Sequence, residues 1–334
     1  MPGEGLRLIV RAPNWLGDAV MALPALAAIR KSFDRSTLVI AAPPSTAPIF
    51  AERTAAAPDE ILILDGDREV EQLRGVRADA ALLLPNSFGS AWLVRRSGIR
   101  ERWGYRASAR GWLLTRSVPR PRARLHQVHY YLDLVRGLGH DAPDARPRID
   151  PRPLALEKGE ALLRAAGVES GRRIVGFAPG AAYGRAKQWP PDRVAALIGR
   201  LARLDTIAVL VGSAGDRETG RAIESALPTD ARVANLIGRT TMTELIGVMA
   251  RCAAFVSNDS GAMHVAAALG VPLTAIFGPT DERVTAPASD APADVILRNV
   301  FCRPCLLREC PIDHRCMKRI DVDAVLQSVA AHLA

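Results

Sequence analysis

Short, almost continuous apolar runs recur along the chain, and longer amphipathic stretches separate them. Runs of this kind mark strands buried on both faces, as in parallel sheets, whereas helices show apolar residues on one side only. In the first half the runs fall at Leu6–Arg11, Thr37–Ala41, Ile61–Leu64 and Ala80–Leu84. A helix is predicted from the loop Ala12–Asp18 through Ile29, with Pro24 in its first turn, where its missing N–H costs nothing. Another helix is predicted from His126 to Leu138. In the second half the strand pattern returns at Arg173–Ala178, Ile207–Val211, Val233–Ile237, Ala254–Ser257 and Pro272–Phe277, with helices at Pro191–Leu204, Met242–Arg251 and Ala262–Leu269. Parallel strands need helical crossovers, so the repeated strand–helix–strand order predicts an α/β fold with two Rossmann-like parallel-sheet domains. Asp141–Pro153 contains Pro143, Pro147, Pro151 and Pro153 and reads as a linker, giving domains 1–152 and 153–334. The final helix has the option of packing back on the first domain. Two such halves around a linker are expected to face a cleft, where ligands bind.

Chemistry collects where strands run into helices. The stretch Ala254–Asp281 is a βαβ unit whose turn reads Asn258-Asp259-Ser260-Gly261. Backbone N–H groups and side chains there can meet an anion at the helix start; alternatively Asp259 or Ser260 simply caps the helix. The other strand-end loops of this half lie around Ala181, Ser213, Thr240 and Gly278 and carry hydroxyls, carboxylates, glycines and Lys187. A phosphate-bearing substrate needs such groups. Lys187 is one of only four lysines (with Lys31, Lys158 and Lys318) among 44 basic residues. A lysine in a chain that otherwise uses arginine suits point-charge contact with a diphosphate, against the alternative of an exposed loop residue. In the first half, the loop after the first strand holds a lone Gly17 and no GxGxxG, so a dinucleotide fingerprint is absent. Asp18 in that loop is either a catalytic carboxylate or a helix cap. Asn86-Ser87-Phe88 follows the fourth strand and sits at the same edge.

Charge sharpens this picture. The net charge is +9, and Arg95–Arg124 holds ten arginines against the single acid Glu101, so that segment accounts for the whole excess. It fits an anionic partner such as phosphates, an acidic sugar or a membrane surface, or else forms a solvated face. Nucleic acid is disfavoured, since aromatics make up 5% of residues and no binding motif accompanies the charge. With no signal peptide and no apolar run near the ~20 residues of a membrane span, a cytoplasmic location with reduced thiols is expected. The tail Cys302-x2-Cys305-x4-Cys310-x5-Cys316, with His314 inside it, is either a thiolate metal site or a set of reduced structural thiols. Cys252 lies in an apolar helix and reads as core.

Three segments, WLGDAVMALPAL (15–26), PGAAYGRAKQWP (179–190) and SNDSGAMHVAAALGVPLTAIFGPTD (257–281), resemble the heptosyltransferases of lipopolysaccharide core synthesis, glycosyltransferase family 9. The likeness keeps motif order over nearly the whole chain. The cysteine tail and Asn258–His264 are more similar to the branch that adds the second heptose than to the one that adds the first. The resemblance implies a GT-B fold, with the acceptor on the N-terminal domain and the nucleotide sugar on the C-terminal one. It implies ADP-L-glycero-β-D-manno-heptose as donor and a lipid A–Kdo core already bearing one heptose as acceptor, with the enzyme peripheral to the inner face of the inner membrane. That acceptor is anionic and membrane-anchored, which suits the arginine segment. Under the same resemblance Asp18 is the general base of an inverting displacement. Lys187 and the helix start stabilise the departing ADP, and Asp259 holds donor hydroxyls. Ser260, Gly261 and His264 shape the phosphate site, His264 being equally readable as a packed helix residue. Glu218 corresponds to a ribose-binding acid, and Thr240 and Thr241 lie where adenine and phosphate are held. Trp15, Asn86, Arg95 and Arg96 fall on the acceptor side. No cofactor or metal is implied for catalysis. The rival readings are a family relative adding the first heptose or using another nucleotide sugar, a non-catalytic nucleotide-sugar-binding protein, and a nucleic-acid-binding protein.

Overall fold

The computed structural model describes residues 5–229 and 231–334. The chain divides into two compact units, Met1–Asp150 and Pro151–Ala334, and the division falls within the proline-rich stretch. The first unit contains β1 (Arg7–Arg11), β2 (Thr37–Ala42), β3 (Glu60–Ile63), β4 (Ala80–Leu83), β5 (Glu101–Arg106) and β6 (Arg116–Pro119). They form one parallel sheet in the order β3-β2-β1-β4-β5-β6. The central strand β1 is buried from Leu8 to Arg11, and Leu8 lies between Leu38 and Ala80 of its neighbours.

The second unit contains β7 (Arg173–Ala178), β8 (Thr206–Leu210), β9 (Val233–Asn235), β10 (Ala254–Asn258), β11 (Leu273–Phe277) and β12 (Ala293–Leu297). Its sheet is again wholly parallel, in the order β12-β11-β10-β7-β8-β9. Counted from β7, this is the same doubly wound order as the first sheet. In each, the chain starts in the middle, winds to one edge, and returns to wind to the other. The loops leaving the two middle strands therefore diverge, opening a crevice at the carboxyl edge between β1 and β4, and another between β7 and β10.

Several elements depart from the sequence pattern. The first helix is two, Leu16–Met21 and Leu23–Ser32, meeting at Ala22. Pro24 cannot donate back to the preceding turn, so the helix restarts with proline in its first turn. The arginine segment contains two strands the pattern did not show, β5 and β6, whose charged residues hide the apolar ones that face inward, such as Trp103, Tyr105 and Val118. A helix at Pro153–Ala165 opens the second unit, and β12 adds a half-exposed edge strand. The last helix, Val322–Leu333, packs on the second unit's own core through Val325 and Val329, and its Ser328 Oγ lies 2.6 Å from Thr274 Oγ1. Among the described residues, no helix is long and apolar enough to cross a membrane.

One close approach joins two helices of the second unit. The helices Pro153–Ala165 and Met242–Ala250 cross at glycines. A Cβ on Gly247 would stand 1.8 Å from the Ala155 carbonyl oxygen, and one on Gly159 would stand 2.3 Å from the Gly247 carbonyl carbon. Backbones in such contact leave no volume to add. Gly247→Ala is expected to destabilise the protein by about 2–3 kcal/mol or more, because the helices must separate. Urea denaturation at equilibrium checks this, and an unchanged midpoint would show that the crossing yields easily.

Candidate active site

In the second unit, the loop Pro179–Pro190 leaves β7 and the turn Asp259–Gly261 leaves β10, its parallel neighbour. Lys187 reaches across: its Nζ donates to Asp259 Oδ2 at 2.7 Å and to the Asp259 carbonyl at 3.3 Å. The two side chains are only 13% and 5% exposed, so the pair is largely withdrawn from water. The ammonium also lies 4.9 Å from the centre of the Tyr183 ring. Asn258, at the end of β10, turns inward. Its Nδ2 donates to the Pro179 carbonyl at 2.7 Å, and its Oδ1 accepts from the Trp189 N–H at 3.2 Å, so one buried amide holds both ends of the Lys187 loop.

The helix Gly261–Ala268 begins at Ser260, which makes no side-chain cap. Ser260 Oγ is 3.0 Å from Ser257 Oγ, and Asp259 is engaged by Lys187. Among the described residues Ser260 thus caps nothing with its side chain, and the helix start, whose N–H groups favour an anion, lies beside a lysine. His264 is 5% exposed and sits in the packed body of that helix, in line with the packed reading. Glu218 is exposed and pairs with Arg185 of the Lys187 loop at 3.1 Å. Thr240 stands just ahead of Thr241 at the same carboxyl edge. Thr241 proves to be the cap of the helix Met242–Ala250: its Oγ1 accepts from the Glu244 N–H at 3.3 Å, and Glu244 Oε2 accepts from the Thr241 N–H at 2.7 Å. The Thr241 N–H, and next its hydroxyl, donating to Glu244 Oε2 at 2.8 Å, hold that carboxyl below its ordinary pKa. The Thr-x-x-Glu spacing of this capping box was legible in the sequence and was passed over.

The cysteine tail runs beneath the same loop. The Arg308 carbonyl accepts from the Ala186 N–H at 3.0 Å, His314 Nε2 lies 2.6 Å from the Ala186 carbonyl, and Tyr183 Oη donates to the Leu306 carbonyl at 3.0 Å. Gly184 is required here, since a Cβ would stand 2.3 Å from the Arg308 carbonyl oxygen. Cys302 and Cys310 are partly buried, Cys305 is exposed and Cys316 is buried, with its thiol pushed up by burial and then by the other three thiols. Among the described residues, no group of three or more His, Cys, Asp or Glu side chains is disposed to hold a metal ion. Cys252 is core, and burial pushes its thiol up to about 12.

In the first unit, Asp18 lies in the first turn of the helix Leu16–Met21, which starts at the exposed Trp15. Its Oδ1 accepts from the Tyr131 hydroxyl at 3.1 Å. Burial, and next the Asp18 charge, raise the Tyr131 pKa well above its ordinary value, so the phenol stays a donor. The loop ahead of Asp18 is pinned by Arg11, which pairs with Glu69 at 2.8 Å and donates to Asn14 Oδ1 at 3.0 Å. Across the crevice, Asn86 Nδ2 donates to Tyr130 Oη at 2.8 Å. Adjacent tyrosines of one helix, Gln127–Gly137, thus hold both loops of the switch point. The run of charge along the sequence hides one further residue: Arg110 is not part of a surface patch but fully buried. Its guanidinium donates to the carbonyls of Pro85 and Tyr105 and, at 3.4 Å, to Asn86 Oδ1. Burial lowers its pKa to about 10, which leaves it charged at neutral pH. Arg95 and Arg96 are exposed on the helix Phe88–Arg96.

Two sheets of doubly wound order, one with a polar switch point around a carboxylate and the other with a lysine and an open helix start, define a two-domain nucleotide-binding α/β protein of the GT-B type. The glycosyltransferase family 9 (heptosyltransferase) model matches residues 68–315. Lipopolysaccharide heptosyltransferase 2 of Escherichia coli is 34% identical over 300 residues, covering 85% of this chain and 86% of that protein. Lipooligosaccharide heptosyltransferase 2 of Haemophilus influenzae is 31% identical over 308 residues, covering 85% and 87%. The solved structure of E. coli ADP-heptose LPS heptosyltransferase II superposes with a TM-score of 0.85 and 29% identity over 98% of each chain. The chain belongs to glycosyltransferase family 9, the heptosyltransferases.

The amide of Asn258 gives a direct test of how the lysine is held. Asn258→Asp would set a carboxylate against the Pro179 carbonyl and lose the N–H donor. It is expected to cost about 1–3 kcal/mol of stability and to weaken ADP binding by releasing the Lys187 loop. Calorimetric titration with ADP alongside thermal melting checks both, and unaltered ADP affinity would show that the loop is held by other means.

Proposed function

We propose that this glycosyltransferase moves L-glycero-D-manno-heptose from ADP-heptose to the first heptose of the lipopolysaccharide inner core, with inversion. The observation that carries the reading is the end-to-end likeness to the solved heptosyltransferase II, at a TM-score of 0.85 over 98% of both chains. The local chemistry supports it. An ammonium has three donors, of which Asp259 takes two, leaving Lys187 able to meet a diphosphate oxygen. Lys187 and the N–H groups of the helix Gly261–Ala268 stabilise the charge that grows on departing ADP, in a site with little water. Asp259 orients Lys187 and offers its second oxygen to donor hydroxyls, while Ser260, Gly261, Thr240 and Glu218 lie along the nucleotide's path. His264, being packed, supports the helix rather than touching donor.

Asp18 takes the proton of the attacking heptose hydroxyl, with Tyr131 fixing the orientation of its carboxylate. Trp15, Asn86, Arg95 and Arg96 receive the acceptor, whose phosphates and acidic sugars are drawn to the arginine-rich segment and to the fixed charge of Arg110. The reaction in this form calls for no metal or cofactor, because cation and N–H donors supply the electrostatics. The enzyme works at the inner face of the inner membrane, where a lipid-anchored acceptor is presented, and nucleic acid is no partner.

A mass-spectrometric transfer assay tests the reading. Gain of one heptose by Kdo-lipid A that already carries one heptose, and none by Kdo-lipid A without it, is the expected result. Transfer to the bare acceptor would make this the enzyme that adds the first heptose, and EDTA is expected to leave the rate unchanged. Asp18→Asn should lower kcat by at least about a thousandfold with ADP affinity kept, since a base is lost and not a donor contact. Near-normal turnover would remove Asp18 from the role. Tyr131→Phe should lower kcat by about tenfold and move the basic group's pKa upward in the kcat–pH profile, because a hydrogen bond to the charged carboxylate is lost. An unchanged profile would leave Tyr131 a packing residue.

A further inference from the structure

The first unit carries a feature that neither nucleotide binding nor proton transfer uses. Phe88, Trp92 and Trp112 are 40%, 41% and 63% exposed and lie together. The Phe88 ring centre is 6.3 Å from that of Trp92 and 6.2 Å from that of Trp112. Phe88 and Trp92 sit one turn apart on the helix Phe88–Arg96, and Trp112 is on the short turn Gly111–Leu113 between β5 and β6. Aromatic side chains of this size normally bury most of their surface, so three exposed in one cluster mark a place of contact.

The cluster is held outward by its surroundings. Arg110 and Leu113, on either side of the turn that bears Trp112, are both fully buried. The Arg110 guanidinium ties that turn to the Pro85 carbonyl and Ser90 Oγ, at the base of the helix that bears Phe88 and Trp92. Both supports of the cluster are thus tied to each other from below.

Its rim is cationic. The Arg95 guanidinium lies 5.9 Å from the Trp112 ring centre, and the Arg106 stem lies against Gly111, where a Cβ would meet its Cγ at 3.0 Å. Arg95, Arg96 and Arg106 are exposed. The segment's single acid, Glu101, is taken up by Trp103 Nε1 at 3.2 Å and Thr115 Oγ1 at 2.9 Å. Tryptophan settles at the headgroup level of a bilayer, where its ring is apolar and its N–H stays wet, and exposed arginines are drawn to anionic headgroups. A nucleic-acid strand would need a charged track along which bases stack in succession, and this cluster is a compact knob with charge around its edge.

We propose that Phe88, Trp92 and Trp112, rimmed by Arg95, Arg96 and Arg106, form the surface by which the protein docks on an anionic lipid bilayer. The cluster adjoins the Asn86 loop, so docking there sets the acceptor side of the first sheet against the membrane. In that respect the inference rests on the proposed lipid-linked acceptor.

The test is flotation of the full chain with vesicles of phosphatidylethanolamine and phosphatidylglycerol, compared with vesicles of phosphatidylcholine alone. The unaltered protein is expected to float with the anionic vesicles, less so at high salt, and to float weakly with the zwitterionic ones. Trp92→Ser combined with Trp112→Ser should weaken anionic-vesicle binding at least tenfold, with heptose transfer to a deacylated, water-soluble acceptor within twofold of normal. Trp112→Ser alone, at the most exposed position, serves if the double variant does not fold. Equal flotation of variant and unaltered protein overturns the proposal, and so does equally tight binding to zwitterionic vesicles. Loss of transfer to the soluble acceptor in a folded variant also overturns it, assigning the rings to substrate. Vesicle binding that depends on the tryptophans in a protein that transfers no heptose would sustain the docking surface and defeat the proposed acceptor.

Discussion

The Lys187–Asp259 ion pair is the contact on which the second unit's chemistry depends. A pair so far withdrawn from water loses hydration on both partners, and attraction offsets that loss only when geometry is held tightly. Here it is held by topology. Because β7 and β10 are parallel neighbours at the point where the winding reverses, their following loops leave side by side, 72 residues apart in sequence. Asn258 then joins the two loops with a single buried amide, and the tail beyond Phe301 supports the loop from below through Arg308 and His314. The lysine can be both buried and correctly aimed only because three separate pieces of chain converge on a loop with little regular structure of its own.

The first unit solves the same geometric problem with different chemistry. At its switch point Tyr131 holds Asp18 and Tyr130 holds Asn86, both from one helix. Below them Arg110 carries a charge satisfied by backbone carbonyls and amide oxygen rather than by a carboxylate. Gly104 makes room for it, since a Cβ there would stand 3.1 Å from the guanidinium. The first unit thus sets this charge under the Asn86 loop, whereas the second places its charge on Lys187 beside a helix start, while the strand order is the same in both.

The cysteine tail is absorbed into this scheme by its backbone. Its carbonyls at Leu306 and Arg308 and the ring of His314 accept or meet partners on the Lys187 loop. The spacing of the cysteines drew attention in the sequence, yet the contacts that reach the site are made by residues between them.

Local signals in the chain were sufficient for much of the architecture. Continuous apolar runs identified the inner strands of both sheets, because a strand covered on both faces has no polar side to interrupt the pattern. The strand-end positions of Asp18, Asn86, Lys187 and Asp259 were legible for the same reason: parallel strands send all their carboxyl ends to one edge. Strands β5 and β6 were not, since their outward arginines mask the alternation, and neither was the break at Ala22. What tertiary structure alone decided is the partner of each polar group. Sequence spacing reports neighbours within a turn or two, such as the capping box of Thr241 and Glu244. It carries no information on Tyr131 meeting Asp18 across 113 residues, or on Asn258 turning away from ligand to hold Pro179. Arg110 is the clearest case. Among ten arginines in one segment, only the packing of Gly104, Tyr105 and the Pro85 loop determines which one is buried.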